Sequence, residues 1–276
     1  MQRTIELVAT DLDGTLLRGD KSISPADLAM LQYLGEKQIL RVVATGRNLT
    51  KVREVISTAV PVDFIAFSSG AGIYDLRKDR LIYSRNIPEH SVSALSAWLV
   101  SRGISFFLFR EVPGNSRCWH YRGRNSCEEF ERYYESHLHV TEKLPESVPL
   151  CTGASQFLVI FRYPEDFHEL KEELALHFSD LKIVRASSPF ETGYTWMEIF
   201  HQDVSKGNAV RFLCNSLNID RKATVGIGND YNDTDLLDFT SFSYLVKNGP
   251  DELKRKYRYA PSNEDSAFAY CLQEHL

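Results

Sequence analysis

Cysteine is scarce in this chain, and what there is pairs poorly. Five cysteines, Cys118, Cys127, Cys151, Cys214 and Cys271, are spread over 276 residues. Their number is odd and no C-x-x-C occurs, so neither a disulfide framework nor a zinc site fits, and a reducing, cytoplasmic setting is expected. Long apolar runs are missing as well: nothing approaches the ~20 residues that a membrane helix needs. A positive excess is also missing. The 32 Lys and Arg against 37 Asp and Glu leave a net charge of −5. Spread along the chain, that balance argues against nucleic acid or an anionic membrane as partner. Met1-Gln2-Arg3-Thr4 leads straight into an apolar strand, so no secretory signal is read there. No repeat and no low-complexity tract is seen. The remainder, 43% hydrophobic and 25% charged, is ordinary globular composition with room for one large domain or two modest ones.

Strand and helix patterns alternate in the first third. An apolar run over 5–10 reads as a buried strand. Ser24-Pro25 opens a helix, with Ser24 as N-cap and Pro25 in its first turn, and Leu28, Leu31 and Leu34 form the apolar face. Further strands are expected over 39–44 and 63–68, a helix over about 50–57 between them, and a small hairpin over 72–83. From about 85 to 194 the strands are more aromatic (104–109, 118–121, 156–163), and helices over 128–137 and 165–178 lie between them. This is an α+β pattern, with helices on one face of an antiparallel sheet. The last third returns to the first pattern: strands at 196–200, 223–227 and 242–246, and helices at 205–215, 234–239, 250–256 and after Ser262. The expected fold class is α/β, a Rossmann-like parallel-sheet core formed by 1–84 and 195–276, with an inserted α+β domain over 85–194.

Chemistry concentrates at Asp11-Leu12-Asp13-Gly14-Thr15. On a strand, residues i and i+2 point the same way, so two carboxylates project together from its end, and Gly14 lets the chain turn away. Their repulsion calls for a compensating charge. A hard divalent cation with oxygen ligands suits, since Mg²⁺ tolerates one or two carboxylates beside a phosphate. An EF-hand loop does not fit, because Leu16 and Ser22 stand where that loop needs glycine and glutamate. Ligands of open α/β sheets bind beyond the carboxyl ends of the strands. Four such ends carry polar groups here: Asp11 and Asp13; Thr45 and Arg47; Ser68 and Ser69; Asn229, Asp230 and Asp233. Their contents suit phosphate chemistry. Acids hold a metal, a carboxylate serves as nucleophile, and hydroxyl and backbone N–H groups grip phosphate oxygens. Lys206, at a helix N-terminus, adds positive charge.

These motifs resemble those of the haloacid-dehalogenase superfamily of Mg²⁺-dependent phosphatases. The nearer likeness is to its Cof-type branch, with a C2-type (IIB) cap inserted after the third strand, and it extends over essentially the whole chain. Asp11 to Thr15 matches the first motif, Thr45-Gly46-Arg47 the second, Ser205-Lys206-Gly207 the third and Gly228 to Asp233 the fourth. The resemblance implies that Asp11 is the nucleophile and forms an aspartyl-phosphate, while Asp13 is the general acid and base. Thr45, Gly46, Arg47 and Lys206 would hold phosphate, with Arg47 also closing the site toward cap or substrate. Asp11, the Asp13 carbonyl, Asn229 and Asp233 would ligate Mg²⁺. The fourth motif departs from the usual G-D-x-x-N-D. Asn229 stands for its first Asp, so either Asn229 ligates through its carbonyl oxygen or Asp230 takes over, directly or through water. Ser69 replaces a frequent Asn.

The implied activity is hydrolysis of a small phosphorylated metabolite, a sugar phosphate or similar ester, under a cap that closes to exclude water. The rivals are a phosphosugar mutase or phosphotransferase of the same superfamily, and a catalytically weak regulatory binding protein, which only Asn229 favours. His120, Tyr121, Arg122 and Arg124 form a basic-aromatic run that suits either substrate contact or a strand surface. Tyr194, near the hinge, suits hinge or core packing or an approach to the site, and Asn248 and Asn263, in loops after the fourth motif, suit turns and caps or an approach to the metal edge of the sheet.

Overall fold

The computed structural model of the chain describes residues 5–124, 126–145, 152–188, 190 and 192–275. It divides into two compact units, Met1–Tyr83 with Ser205–Leu276, and Ser84–Val204. In chain order the first unit begins with β1 (Leu7–Thr10), α1 (Pro25–Glu36), β2 (Leu40–Ala44), α2 (Leu49–Arg53), β3 (Phe64–Phe67), β4 (Gly72–Asp75) and β5 (Arg80–Ser84). The second unit holds α3 (Glu89–Ser101), β6 (Phe106–Phe109), β7 (Cys118–Tyr121), α4 (Glu128–Ser136), β8 (Thr141–Lys143), β9 (Gln156–Phe161), α5 (Pro164–His177), β10 (Leu181–Ser187) and β11 (Thr195–His201). The first unit then resumes with α6 (Lys206–Leu217), β12 (Thr224–Gly228), α7 (Thr234–Phe239), β13 (Phe242–Val246), β14 (Arg258–Ala260) and α8 (Ala267–Leu272).

The first unit is built on an eight-stranded sheet in the order β14-β13-β12-β1-β2-β3-β4-β5. From β14 to β3 every pairing is parallel, and β4 turns back antiparallel on β3. Every residue of β1 and β3 is buried. That is why both read as unbroken apolar runs and not as alternating ones. The chain winds outward from β1 to β2 and β3, and after the insertion it winds the other way, through β12 and β13. The strand order therefore reverses at β1, which is where open α/β sheets place their ligands.

α1 begins as its sequence predicts: the Ser24 hydroxyl accepts the Asp27 N–H at 3.0 Å, with Pro25 in the first turn. Its buried face differs by one position. Leu31 and Leu34 are buried, but the third buried residue is Asp27, and Leu28 is only half-buried. The partner that makes this tolerable lies 242 residues away, where the Asp27 carboxylate accepts the Ala269 N–H in α8 at 2.8 Å. The other oxygen, Oδ2, has no hydrogen-bond partner among the described residues. Burial accordingly holds this carboxyl above its ordinary value of 3.8, against the two hydrogen bonds it takes part in. A raised folded-state value means a contribution that is full below 3.8 and lost as pH rises through the raised value. Asp27→Asn, which keeps an acceptor and removes the charge, is expected to melt higher than the parent at pH 8 and level with it near pH 4. Thermal unfolding across that range measures it, and a gap independent of pH would contradict the account.

The second unit carries a six-stranded sheet in the order β10-β11-β9-β6-β7-β8. All the pairs are antiparallel except β7 with β8. Its strands alternate by face: Phe106 and Leu108 join Val92, Leu95 and Leu99 of α3 and Phe167, Leu170 and Leu174 of α5 in one core. Phe107 and Phe109 point to the other face, where Phe130 of α4 stacks on Phe107 with ring centroids 4.5 Å apart. So α5 shares one face with α3, a helix the sequence reading did not include, while α4 covers the opposite one; the two helices expected on a single face lie on opposite faces.

Three further differences concern single elements. The strand expected at 196–200 is present, but it pairs with β9 and β10 in the second sheet and not with the first. The compact first unit accordingly resumes at Ser205 and not at 195. The helix expected at 250–256 is a series of turns, and it leads into β14, which no pattern announced. The expected helix at 50–57 closes early, as α2. Cys151 lies outside the described residues, while Cys118, Cys127, Cys214 and Cys271 are free thiols. Among the described residues no helix is long and apolar enough to cross a membrane.

Candidate active site

Because β1 lies between β2 and β12, the loops leaving their carboxyl ends are neighbours. The Asp11 N–H donates to the Ile227 carbonyl at 2.8 Å, which continues the β1–β12 ladder into the first motif. The loop after β3 folds back on the loop after β2. The Ser68 N–H donates to the Arg47 carbonyl (2.8 Å) and the Ser69 N–H to the Thr45 carbonyl (2.9 Å). Ser68, Ser69 and Gly70 all carry left-handed φ angles, 49°, 55° and 94°. For the serines that conformation costs on the order of 1–2 kcal/mol each. Only glycine fits at the third position, since a Cβ on Gly70 would lie 2.3 Å from the Ser205 carbonyl oxygen. The loop is thereby seated against the N-cap of α6, whose Ser205 hydroxyl accepts the Asn208 N–H at 3.0 Å.

The first residue of α6 is Lys206, 1% exposed. Its Nζ lies 2.6 Å from Asp11 Oδ1, 2.6 Å from Asp233 Oδ1 and 3.5 Å from Asn232 Oδ1. Burial alone would lower this ammonium, but the two carboxylates outweigh it and hold the group well above the usual lysine range. Asp11 experiences the opposite balance. Its burial, with Asp233 and Asp13 adding repulsion, pushes the carboxyl up to about 7 despite Lys206.

Asp13 points outward from the same strand end and is part-exposed. The Arg47 guanidinium forks onto it, Nε to Oδ2 at 2.5 Å and Nη2 to Oδ1 at 2.6 Å, and Lys21 Nζ adds a contact at 3.1 Å. Burial would raise this carboxyl, but Arg47 and Lys21 together hold it below the usual range. Arg47 thus grips Asp13 in this conformation. The Thr45 hydroxyl accepts the Arg47 N–H at 3.1 Å. A Cβ on Gly46 would lie 3.7 Å from Ser69 Oγ and 3.9 Å from Asn232 Nδ2, so Gly46 fronts the space that these polar tips share.

The fourth motif forms a reciprocal cap. Asp233 Oδ2 accepts the N–H groups of Asn229 (2.8 Å) and Asp230 (3.0 Å), and Asp230 accepts from Tyr231 (2.8 Å). Both Asp233 oxygens are thus engaged, one by the loop and one by Lys206. The Asn229 side chain reaches the first motif, with one tip atom 3.1 Å from Thr15 Oγ1, 3.3 Å from the Asp13 carbonyl oxygen and 3.2 Å from Asp11 Oδ2. That atom is Oδ1, which accepts from Thr15 Oγ1; a half-turn of the amide would put its nitrogen there, as donor to the same three oxygens. Gly14 makes room for this approach: its φ is 72°, and a Cβ there would meet the Asn229 amide at 2.6 Å. Asn248 Nδ2 fixes the same turn through the Gly14 carbonyl (2.9 Å), and Asn263 Nδ2 fixes Leu17 (2.9 Å).

Asp11, Lys206, Asp233 and Asn229 are bonded in series, and the Asp13–Arg47 fork adjoins them, the two making one polar network at the end of β1. Thr45 and Gly46 adjoin it, and Asp230 shapes its loop. Thr15, Lys21 and Asn232 also belong to the network and escaped the sequence reading. Asn232 had a signal in its place between two fourth-motif acids, whereas Lys21, in a polar turn, had none. In the second unit, His120 and Tyr121 lie on opposite faces of β7: His120 packs on Tyr134 of α4, and Tyr121 on Phe106 of the other core. Arg122 pairs with Glu131 at 2.6 Å. The run does not converge as a set.

Comparison with known proteins gives the family. The model of the haloacid dehalogenase-like hydrolase family matches residues 8–272. The chain is 25% identical over 272 residues to phosphatase YwpJ of Bacillus subtilis, spanning 91% of this chain and 92% of that one. It is 23% identical over 291 residues to 5-amino-6-(5-phospho-D-ribitylamino)uracil phosphatase YwtE of the same organism, spanning 99% and 98%. Among solved structures, the subclass IIB sugar phosphatase BT4131 superposes with a TM-score of 0.75 at 16% identity, over 98% of each chain. A sheet that reverses at β1, four motif loops gathered at that point and a family match over nearly the whole length lead to one assignment: the chain belongs to the haloacid dehalogenase-like hydrolases and is a phosphatase.

Proposed function

We propose that the chain hydrolyses a small phosphorylated metabolite, a sugar phosphate or similar ester, with Mg²⁺ and through a phosphorylated Asp11. The observation that carries this reading is the buried Asp11–Lys206–Asp233 bridge at the point where the strand order reverses. Burying three charges is a weak route to stability, so their retention beside a ligand-binding point speaks for chemistry.

The donor set suits a hard cation. Asp11 Oδ2, the Asp13 carbonyl and Asn229 Oδ1 converge, an all-oxygen set of the kind Mg²⁺ takes. Among the described residues, no three His, Cys, Asp or Glu side chains form a ready cage, which suits an ion that uses few carboxylates and keeps several waters. When bound, Mg²⁺ would offset the repulsion between the Asp11 carboxylate and the phosphate dianion. We assign its holding to Asp11, the Asp13 carbonyl and Asn229. Asp233 positions Asn229 through its backbone, and Asp230 caps the loop.

In the proposed reaction a carboxylate oxygen of Asp11 attacks phosphorus, the ester P–O bond breaks, and the leaving oxygen takes the Asp13 proton. Water then attacks the same phosphorus, Asp13 takes its proton, and the bond to Asp11 breaks, releasing phosphate. Lys206, the Thr45 hydroxyl and the N–H groups around Gly46 face the transferring oxygens. The Arg47 fork holds Asp13 ionised, so it must open before Asp13 can donate a proton.

The substrate class draws support from the two relatives whose names state one, a phosphoribityl compound and a sugar phosphate. The net charge of −5 favours a small ester over nucleic acid. A cytoplasmic setting belongs to the same proposal, on the scarcity of cysteine. The test is phosphate release from a panel of phosphorylated metabolites, with Mg²⁺ and then with EDTA. Mg²⁺-dependent release from at least one sugar phosphate is expected. Release unaffected by EDTA, or isomerisation of a hexose phosphate without release, would refute the reading.

A further inference from the structure

Asn229 is where this chain departs from its family's fourth motif, and its side chain faces the oxygens that the proposed cation would use. Its tip oxygen, Oδ1, accepts from Thr15 Oγ1 at 3.1 Å and lies 3.2 Å from Asp11 Oδ2 and 3.3 Å from the Asp13 carbonyl oxygen. Without a cation this sets an oxygen against a carbonyl and, when Asp11 is ionised, a carboxylate, neither of which donates, whereas the half-turned amide would present its nitrogen to both. A cation reverses that demand, because it needs the oxygen. The two states differ by a half-turn about one side-chain bond. The Asn229 backbone need not move, since Asp233 Oδ2 holds its N–H at 2.8 Å.

We propose that Asn229 makes cation binding here a two-position switch of one amide. Its nitrogen satisfies Asp11 and Asp13 when no cation is bound, and its oxygen faces the cation when one is. This rests on the reading that Asp11 and the Asp13 carbonyl hold Mg²⁺. A carboxylate at this position has no donor and would add a like charge beside Asp11, so it needs the cation for balance. Asparagine supplies its own substitute in the form of an N–H group. Two effects then act in one direction. The bound cation meets one negative charge fewer, and it must displace hydrogen bonds already made. The chain therefore folds stably without the cation and binds it more weakly than an aspartate version would.

Calorimetric titration of the full-length protein with Mg²⁺, thermal unfolding in EDTA and the side-chain amide NMR signals of ¹⁵N-labelled protein test this together. Asn229→Asp is expected to bind Mg²⁺ roughly tenfold more tightly or better, because ligand charge tunes affinity, and to melt below the parent in EDTA. Asn229→Ala is expected to lose Mg²⁺ affinity and also to melt lower in EDTA. In the parent, the NH₂ signals assigned to Asn229 by their disappearance in Asn229→Ala should shift on saturation with Mg²⁺. An Asn229→Asp protein that binds no more tightly than the parent overturns the proposal. So do parent NH₂ signals that saturating Mg²⁺ leaves in place, and this measurement decides alone if the aspartate variant fails to fold. Should the parent bind no Mg²⁺ at all, the proposed function loses its cation and the switch falls with it. Should it bind Mg²⁺ with no role for Asn229, the switch alone falls.

Discussion

Asp11→Asn is expected to reduce phosphate release by about 10⁴-fold or more, the scale of losing a covalent nucleophile, while making the cation-free protein more stable at neutral pH. Both halves follow from one position. The side chain that would attack phosphorus is buried, and burial with Asp233 and Asp13 nearby pushes its carboxyl up to about 7. A folded-state value above the ordinary 3.8 means that the group's contribution is full below 3.8 and is lost as pH rises through about 7. Asparagine does not titrate. In EDTA at pH 8 the variant should therefore exceed the parent by a few kcal/mol, taking about 1.4 kcal/mol per unit as an upper guide. The gap should close toward pH 4. Mg²⁺ should narrow it from the other side, by stabilising the parent's carboxylate. Urea unfolding at three pH values with and without EDTA measures the stability half, and phosphate release the other. Undiminished turnover would remove Asp11 from the reaction, and a gap that widens toward acid pH would show the sign to be wrong.

Lys206→Met carries the second large effect, and here stability and activity fall together. Methionine matches the length of the stem but leaves Asp11 and Asp233, each 2.6 Å from the lost ammonium, buried without their cation. Removing one partner of a buried charge network costs about 3–5 kcal/mol, because the remaining charges stay unpaired. The loss should be greatest above neutral pH and should shrink in acid, where the carboxylates take protons. Combining it with Asp11→Asn should restore part of the loss, since one of the two orphaned carboxylates is then gone. Residues in one network do not add independently. A midpoint shift in urea reports the stability, and a double-mutant cycle reports the coupling. If the single variant matched the parent in urea, or the pair simply added, the bridge would not be the organising contact described above.

The parts of this molecule that are legible in its sequence are those fixed by neighbours in the chain. Ser24 and Pro25 start α1 because capping is local, and β1 and β3 read as buried because they are apolar without alternation. The motif loops are legible because each acid or hydroxyl follows such a strand. What is not legible depends on distant partners. β11 is buried from Thr195 to Phe200, and such a strand suits either sheet, so its register against β9 cannot be read from its own residues. Asp27 takes a core place from Leu28 only because the Ala269 N–H arrives from the far end of the chain. β14 is three residues long, too short for any period to appear. In the site, the motifs identify Asp11 and Lys206, yet neither the Arg47 fork on Asp13 nor the orientation of the Asn229 amide can be read from spacing. Both are hydrogen-bond choices made across loops that meet only in the folded sheet.

Gly70 has a mechanical consequence. The inserted unit ends at Val204 and Lys206 follows two residues later, so the cation that neutralises Asp11 stands almost at the seam where one unit hands the chain to the other. Left free, such a residue would feel every displacement of the insertion. It is not free, because the Gly70 backbone lies directly against the Ser205 carbonyl and the Ser205 hydroxyl is tied into α6. The seam is anchored within the first unit, immediately ahead of Lys206. The position of Lys206, and with it the charge balance at Asp11, is thereby set inside the first unit.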